Sequence, residues 1–190
     1  MPFEFKKTSI EGLTLITPHI FKDERGYFIK DFEKDIFEKN NLPTYFYETN
    51  ESKSKKGTIR GLHFQKKHSQ GKLIRVIKGT VFDVAVDLRC NSKTFGKWEG
   101  FILSEHNNQV LYIPKGFAHG FLALDDENIF SYKCTDIYSP ENDSGIRFDD
   151  PEINIKWPTE NLELIISEKD KKLQTFAEFK RGGMIDGFNK

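Results

Sequence analysis

From Leu73 to Leu88 the chain carries a two-residue period: Phe82, Val84, Val86 and Leu88 alternate with Val81, Asp83, Ala85 and Asp87. That period belongs to β-structure, because successive side chains of a strand point to opposite faces. Lys78-Gly79 supplies a turn signal, so this segment is predicted to be a hairpin. Further short strands are predicted over 100–103, 109–113 and 129–135, punctuated by Asn91-Ser92, Asn107-Asn108 and Asp125-Asp126. Many short antiparallel strands at this spacing leave a sandwich or a barrel, and an all-β jelly roll is the expected form.

Helices are few and peripheral. Residues 31–41 read as a short helix that Pro43 ends, with Phe32, Ile36 and Phe37 on one side. A second is expected from Ser167 to about Phe179, and the tail over 181–190 is expected to be loose. Residues 1–32 read as short strands with a turn at Asp23 to Gly26. The 190 residues show no repeat and no linker, which predicts one domain.

Lysine and arginine number 29 against 29 for aspartate and glutamate, which argues against a nucleic-acid partner. No apolar run reaches membrane-spanning length, and the N-terminus lacks the core of a signal peptide. Cys90 and Cys134 form neither a disulfide framework nor a zinc spacing, so a cytoplasmic location is expected.

The chemistry-bearing stretch is Gly57-Thr58-Ile59-Arg60-Gly61-Leu62-His63-Phe64-Gln65, running on to Gln70-Gly71-Lys72-Leu73. It sets His63, able to take a proton near neutrality, between two fixed cations, Arg60 and Lys72. Those charges suit a phosphate or a developing oxyanion. Read alone, the same residues describe a surface strand with a packed histidine. A second stretch, Pro114-Lys115-Gly116-Phe117-Ala118-His119-Gly120-Phe121, resembles the second motif of the cupin superfamily, whose fold is a double-stranded β-helix. The first cupin motif would overlay on Gly61 to Gln65. Metal-binding cupins have a second histidine where this chain has Gln65, and no glutamate follows, so no metal or other cofactor is expected.

The resemblance then becomes specific. Arg25-Gly26-Tyr27-Phe28, Asn50-Glu51-Ser52, Arg60 to Gln65, Val81 to Asp87, Phe95 to Trp98 and Ile113 to Phe121 match in order. So do Tyr132-Lys133, Tyr138-Ser139-Pro140, Asp149-Asp150-Pro151 and Ser167-Glu168-Lys169-Asp170. Over about residues 3–170 the chain resembles the nucleotide-sugar 3,5-epimerases typified by dTDP-4-dehydrorhamnose 3,5-epimerase. The resemblance implies a 4-keto sugar inverted at C3, C5 or both, by a base on one ring face, a donor on the other and support for the enolate. It implies His63 as base, Asp170 as its orienting partner, Tyr132 as the opposite donor and Lys72 at the enolate. Arg60, with Arg25 from a neighbouring subunit of a homodimer, would hold the diphosphate. His119 would lie near the phosphates, and Tyr138 would stack on the nucleobase. The N-terminal strands would reach across the dimer interface.

Each residue also has a plainer reading. Asp170, three residues after Ser167, could cap a helix. Tyr132 shares a strand face with Phe130 and Cys134 and could be core.

The chain departs from the family at the nucleotide-sugar contact surface, where Lys30 replaces a glutamate, Glu48-Thr49-Asn50 replaces Q-D-N, and Asp143 stands for a glutamate. Lys169 also belongs to this surface. Glu48 could accept the paired N–H groups of guanine, so a GDP-linked 4-keto-heptose of capsule assembly is the alternative substrate. Rival readings are a sugar 3,4-ketoisomerase, a non-catalytic sugar-binding jelly roll and a metal-dependent cupin oxygenase.

Overall fold

A computed structural model of the chain describes residues 2–182. It opens with β1 (Phe3–Lys7), β2 (Thr14–Pro18), β3 (Ile20–Asp23), β4 (Gly26–Ile29) and helix α1 (Lys34–Lys39). Then come β5 (Glu48–Ser54), β6 (Thr58–Gln65), β7 (Lys72–Lys78), β8 (Thr80–Asp87) and β9 (Trp98–Ser104). They are followed by β10 (Val110–Ile113), β11 (Phe117–Ala123), β12 (Asn128–Cys134) and β13 (Asp143–Gly145). β14 (Ile165–Ile166), α2 (Glu168–Lys171) and α3 (Phe176–Arg181) complete the described chain.

The fold is the expected all-β jelly roll. One sheet runs β1-β2-β10-β7-β12-β5 and the other β13-β6-β11-β8-β9, while β3 and β4 form a separate hairpin. β14 joins β6 in parallel, and the other ladders among the described residues are antiparallel.

The predicted 73–88 hairpin is corrected. Both strands lie where the alternation puts them, yet they do not pair with each other. β7 pairs with β10 and β12, and β8 pairs with β9 and β11, so the turn at Gly79 carries the chain from one sheet to the other. Gly79 sits at φ 78°, and a Cβ there would lie 2.4 Å from the Glu127 carbonyl. A tight turn is compatible with either outcome. What decides is that β8 carries apolar side chains on both faces, Val81 and Ala85 on one and Phe82, Val84 and Val86 on the other, and needs cover on both.

Inward side chains of the two sheets meet in a cluster that includes Ile74, Val76, Leu111 and Phe130 against Val81, Ala85, Phe121 and Ala123. Phe37 and Leu42 cover the outside of the six-stranded sheet. Ile146, Ile153, Phe176 and Phe179 cover the outside of the other. Burying one such side chain stabilises the fold by roughly 1.5–3 kcal/mol.

Two helix expectations change. The first begins at Lys34 and not Asp31. The C-terminal one splits, because Thr175 and Glu178 form a capping box that starts α3 afresh after α2 has ended. Arg181 therefore closes a helix and is not part of a loose tail; residues 183–190 lie outside the described residues. No helix among the described residues is long and apolar enough to cross a membrane.

Candidate active site

Strand parity gathers the polar groups. Even-numbered residues of β7 and β12 face the interior, as do odd-numbered residues of β8 and β11. The interior is apolar except where Lys72, Tyr132, His63, His119 and Asp83 meet. Two adjoining lobes of about 530 and 490 Å³ open there and share His63, Lys72, Tyr132 and Lys169. The outer lobe adds Glu48, Asn50, Tyr138 and Asp143, and the inner adds Arg60, His119 and Asp170.

Close approach of β6 and β11 places the histidines. Gly61 sits at φ 108°, and a Cβ on it would lie 2.5 Å from the His119 carbonyl. His119 pairs with His63 and Phe121 with Arg60, so β6 holds one extra residue against β11. That bulge turns both Arg60 and His63 to the cavity.

His63 Nε2 lies 2.7 Å from Asp170 Oδ1. The Asp170 backbone N–H donates to Ser167 Oγ at 3.0 Å, which is the helix cap. Its carboxylate remains free to reach His63 and to accept from the Gly61 N–H at 3.2 Å. Ser167 is thus the cap, and the plainer reading of Asp170 as a capping-box side chain is corrected, because that side chain is spent on the site. Burial acts to raise the Asp170 pKa, but the hydrogen bond and charge of His63, with the Gly61 and Ser167 contacts, outweigh it and hold the carboxyl below its usual range. An ionised carboxylate only accepts, so Nε2 carries the proton and Nδ1 is left as the basic nitrogen.

Tyr132 faces this pair from the opposite sheet, with the Lys72 ammonium 5.9 Å from its ring centroid. Burial raises the Tyr132 pKa, and Cys134 and Glu48 add to the rise against Arg60, so the phenol keeps its proton at neutral pH. Desolvation lowers the Lys72 pKa, opposed by Cys134, Asp83 and Asp143.

At the outer lobe, Tyr138 Oη donates to Asp143 at 3.2 Å, and Lys169 pairs with the same carboxylate. Glu48 accepts from the Tyr138 N–H at 2.6 Å and from Asn50 Nδ2 at 3.3 Å. Each of its oxygens thus already accepts one hydrogen bond from the protein. Gln65 donates to the His68 and Ile137 carbonyls and accepts from the Ser139 N–H. It ties down the loop that carries Tyr138. Arg60 donates to Ser54 Oγ at 3.1 Å and to the Lys53 carbonyl at 3.3 Å.

His119 is 8% exposed, and its Nε2 lies 2.9 Å from Asp83 Oδ2, so this ring nitrogen faces a carboxylate and not a phosphate site. Arg25 and Lys30 line neither lobe: Arg25 pairs with Asp23 on the β3–β4 hairpin and Lys30 with Glu33. Asp83 is the residue that sequence reasoning passed over. The signal was present as a carboxylate inside a strand with apolar residues on both faces, where it must be buried and paired.

Comparison with known proteins finds relatives over nearly the whole chain. The sequence profile of the dTDP-4-dehydrorhamnose 3,5-epimerase family matches residues 7–178. A protein of that name from Methanothermobacter thermautotrophicus is 55% identical over 93% of this chain and 96% of its own. The Escherichia coli protein is 48% identical over 94% and 97%. The crystal structure of a dTDP-6-deoxy-D-glucose-3,5-epimerase from Legionella pneumophila in complex with dTDP-4-keto-L-rhamnose superposes with a TM-score of 0.88. That protein is 44% identical, over 91% of this chain and 92% of its own.

Proposed function

The chain belongs to the dTDP-4-dehydrorhamnose 3,5-epimerase family, and from that we propose that it inverts C3 and C5 of a dTDP-linked 4-keto sugar. The observation that carries the reading is the His63–Asp170 pair facing Tyr132 across one cavity, with Lys72 beside both. A hydrogen α to a carbonyl is weakly acidic, and its removal leaves negative charge on the ketone oxygen. His63 Nδ1 takes the proton, and Asp170 holds the ring and balances the imidazolium. Lys72 supplies positive charge to the enolate oxygen. Tyr132 returns a proton to the opposite face of the same carbon, which completes the inversion. Arg60 suits the diphosphate, and Tyr138, exposed beside the outer lobe, suits a nucleobase.

The reading includes a homodimer in which the β3–β4 hairpin reaches a neighbouring subunit. Phe21, Tyr27 and Phe28 are more than half exposed on that two-stranded hairpin, which is marginal as an isolated unit. The dimer would bring Arg25 to the partner's diphosphate site. It also includes a cytoplasmic location, which rests on the cysteine content.

The test is incubation with a dTDP-linked 4-keto sugar in deuterated water, with a GDP-linked counterpart alongside. Deuterium should enter at C3 and C5 with inversion of both. Absence of exchange from the dTDP sugar would overturn the reading.

A further inference from the structure

Asp83 is fully buried on β8, with Oδ2 on His119 Nε2, and its Oδ1 has no hydrogen-bond partner. It is the one carboxylate oxygen so left among the described residues. A buried carboxylate half unsatisfied costs stability, and an asparagine would serve packing alone with less penalty. Lys72 approaches from the opposite sheet on its four-carbon stem, and among the described residues its ammonium has no ion pair within 4 Å. Lys72 shares the cavity wall with His63, Tyr132, His119 and Asp143, and Cys134 of β12 and Asp83 of β8, the latter behind His119, are near enough for their charge to act on it. Burial keeps His119 neutral, since desolvation lowers its pKa by more than Asp83 raises it. The carboxylate of Asp83 is therefore not neutralised by its own histidine.

We propose that Asp83, held by His119, is the counter-charge of the Lys72 ammonium and so a positioning residue for enolate stabilisation. The proposal rests on the epimerase reading for its consequence, though not for the pairing itself. His119 fixes the carboxylate by one hydrogen bond, and the unpartnered oxygen remains to act on Lys72 through space. Removing the charge leaves Lys72 with desolvation and less opposition, so it loses its proton at lower pH. Enolate support would then fade at lower pH as well.

The first test needs no substrate. The Lys72 Cε chemical shift, assigned by its loss in Lys72→Arg, is titrated in the wild type and in Asp83→Asn. The midpoint should fall by about one pH unit or more in the variant, the scale for losing a nearby opposite charge. An unchanged midpoint overturns the proposal. If Asp83→Asn does not fold, His119→Gln and His119→Phe serve instead. Glutamine can still donate to Asp83 and should keep the midpoint. Phenylalanine removes the one hydrogen bond that fixes the carboxylate, so the charge is no longer held toward Lys72 and the midpoint should fall. Equal midpoints in these two variants overturn the proposal. The second test is deuterium exchange into the dTDP sugar as a function of pH. Asp83→Asn should move the alkaline limb of kcat downward with KM within about twofold, and should move it no further in a Lys72→Arg background, where the cation does not titrate. A shift that persists with arginine in place overturns the proposal. If the midpoint moves but the wild type exchanges no deuterium, the counter-charge stands and the epimerase reading fails.

Discussion

His63 and His119 stand directly opposite each other on β6 and β11, and each has Nε2 against its own buried aspartate. The two pairs differ in what surrounds them. His63 lines both lobes of the cleft, whereas His119 is almost wholly covered and lines only the inner one. In the function proposed above the first pair moves the proton, and the second gives the electrostatic support proposed for Asp83.

Replacing His63 by asparagine removes the base and keeps the side-chain volume close. The epimerisation rate should fall by at least about 10²-fold, the usual scale for loss of a general base. Deuterium entry at C3 should vanish with it, while the melting temperature stays near that of the wild type. Retained exchange would show that another group abstracts the proton.

Tyr132→Phe should separate the two half-reactions. His63 can still remove and return a proton on its own face, so deuterium should enter with the starting configuration kept. Epimer should form slowly, because no donor serves the other face. Product and isotope analysis by NMR checks both, and full-speed inversion would mark Tyr132 as packing.

Desolvation holds the Lys72 pKa below that of an ordinary lysine. The ammonium is useful only while protonated, so the rate should fall as pH rises through this lowered value. Lys72→Arg should lift that alkaline limb, since guanidinium keeps its charge to above about pH 12. A pH–rate profile of kcat in both proteins is the measurement, and coincident limbs would remove Lys72 from the titration.

If Arg25 serves the partner's site, two inactive proteins should restore each other. A heterodimer of Arg25→Ala with His63→Asn contains one site with both residues intact and one with neither. Random reassociation of equal amounts should recover about a quarter of wild-type activity, the statistical share for a C2 dimer. Recovery of nothing, with heterodimer shown to form, would place Arg25 in its own subunit's function.

Asp87 is fully buried and accepts from the Arg89 backbone and guanidinium and from the Ser92 and Thr94 hydroxyls. Burial acts to raise its pKa, but these donors together hold it below the usual range. Its stabilisation should be complete above the unfolded value near about pH 4 and lost as pH falls through the lower folded value. Asp87→Ala should cost on the order of 3 kcal/mol at neutral pH by leaving the Arg89 contacts unpaired. Denaturant melts at several pH values check this, and a variant within about 0.5 kcal/mol of the wild type would contradict it.

Much of the site was legible because the chemistry is written in residue types at short range. Arg60, His63 and Lys72 fall within thirteen consecutive residues of strand-like sequence, although period-two alternation would part Arg60 from His63 and only the bulge in β6 brings both to the cavity. The local reading of Asp170 as a capping-box residue holds for its backbone amide alone, since Ser167 is the cap and the Asp170 side chain goes to His63. It was incomplete because the side chain and the amide of one residue can serve different partners.

The sequence by itself determined the β-character, the strand positions, the apolar faces and the set of groups able to do acid–base chemistry, since each depends on period or residue type. Tertiary structure decided the rest, because strand partners are chosen by burial over long range. A turn at Gly79 fits a hairpin or a change of sheet, and only the need to cover both faces of β8 selects the second. That choice sets Lys72 and Tyr132 on one wall and His63, His119 and Asp83 on the other. A carboxylate 107 residues along the chain reaches His63 only because α2 docks beneath β6. Charge acts through distance in space, and the fold alone supplies that distance.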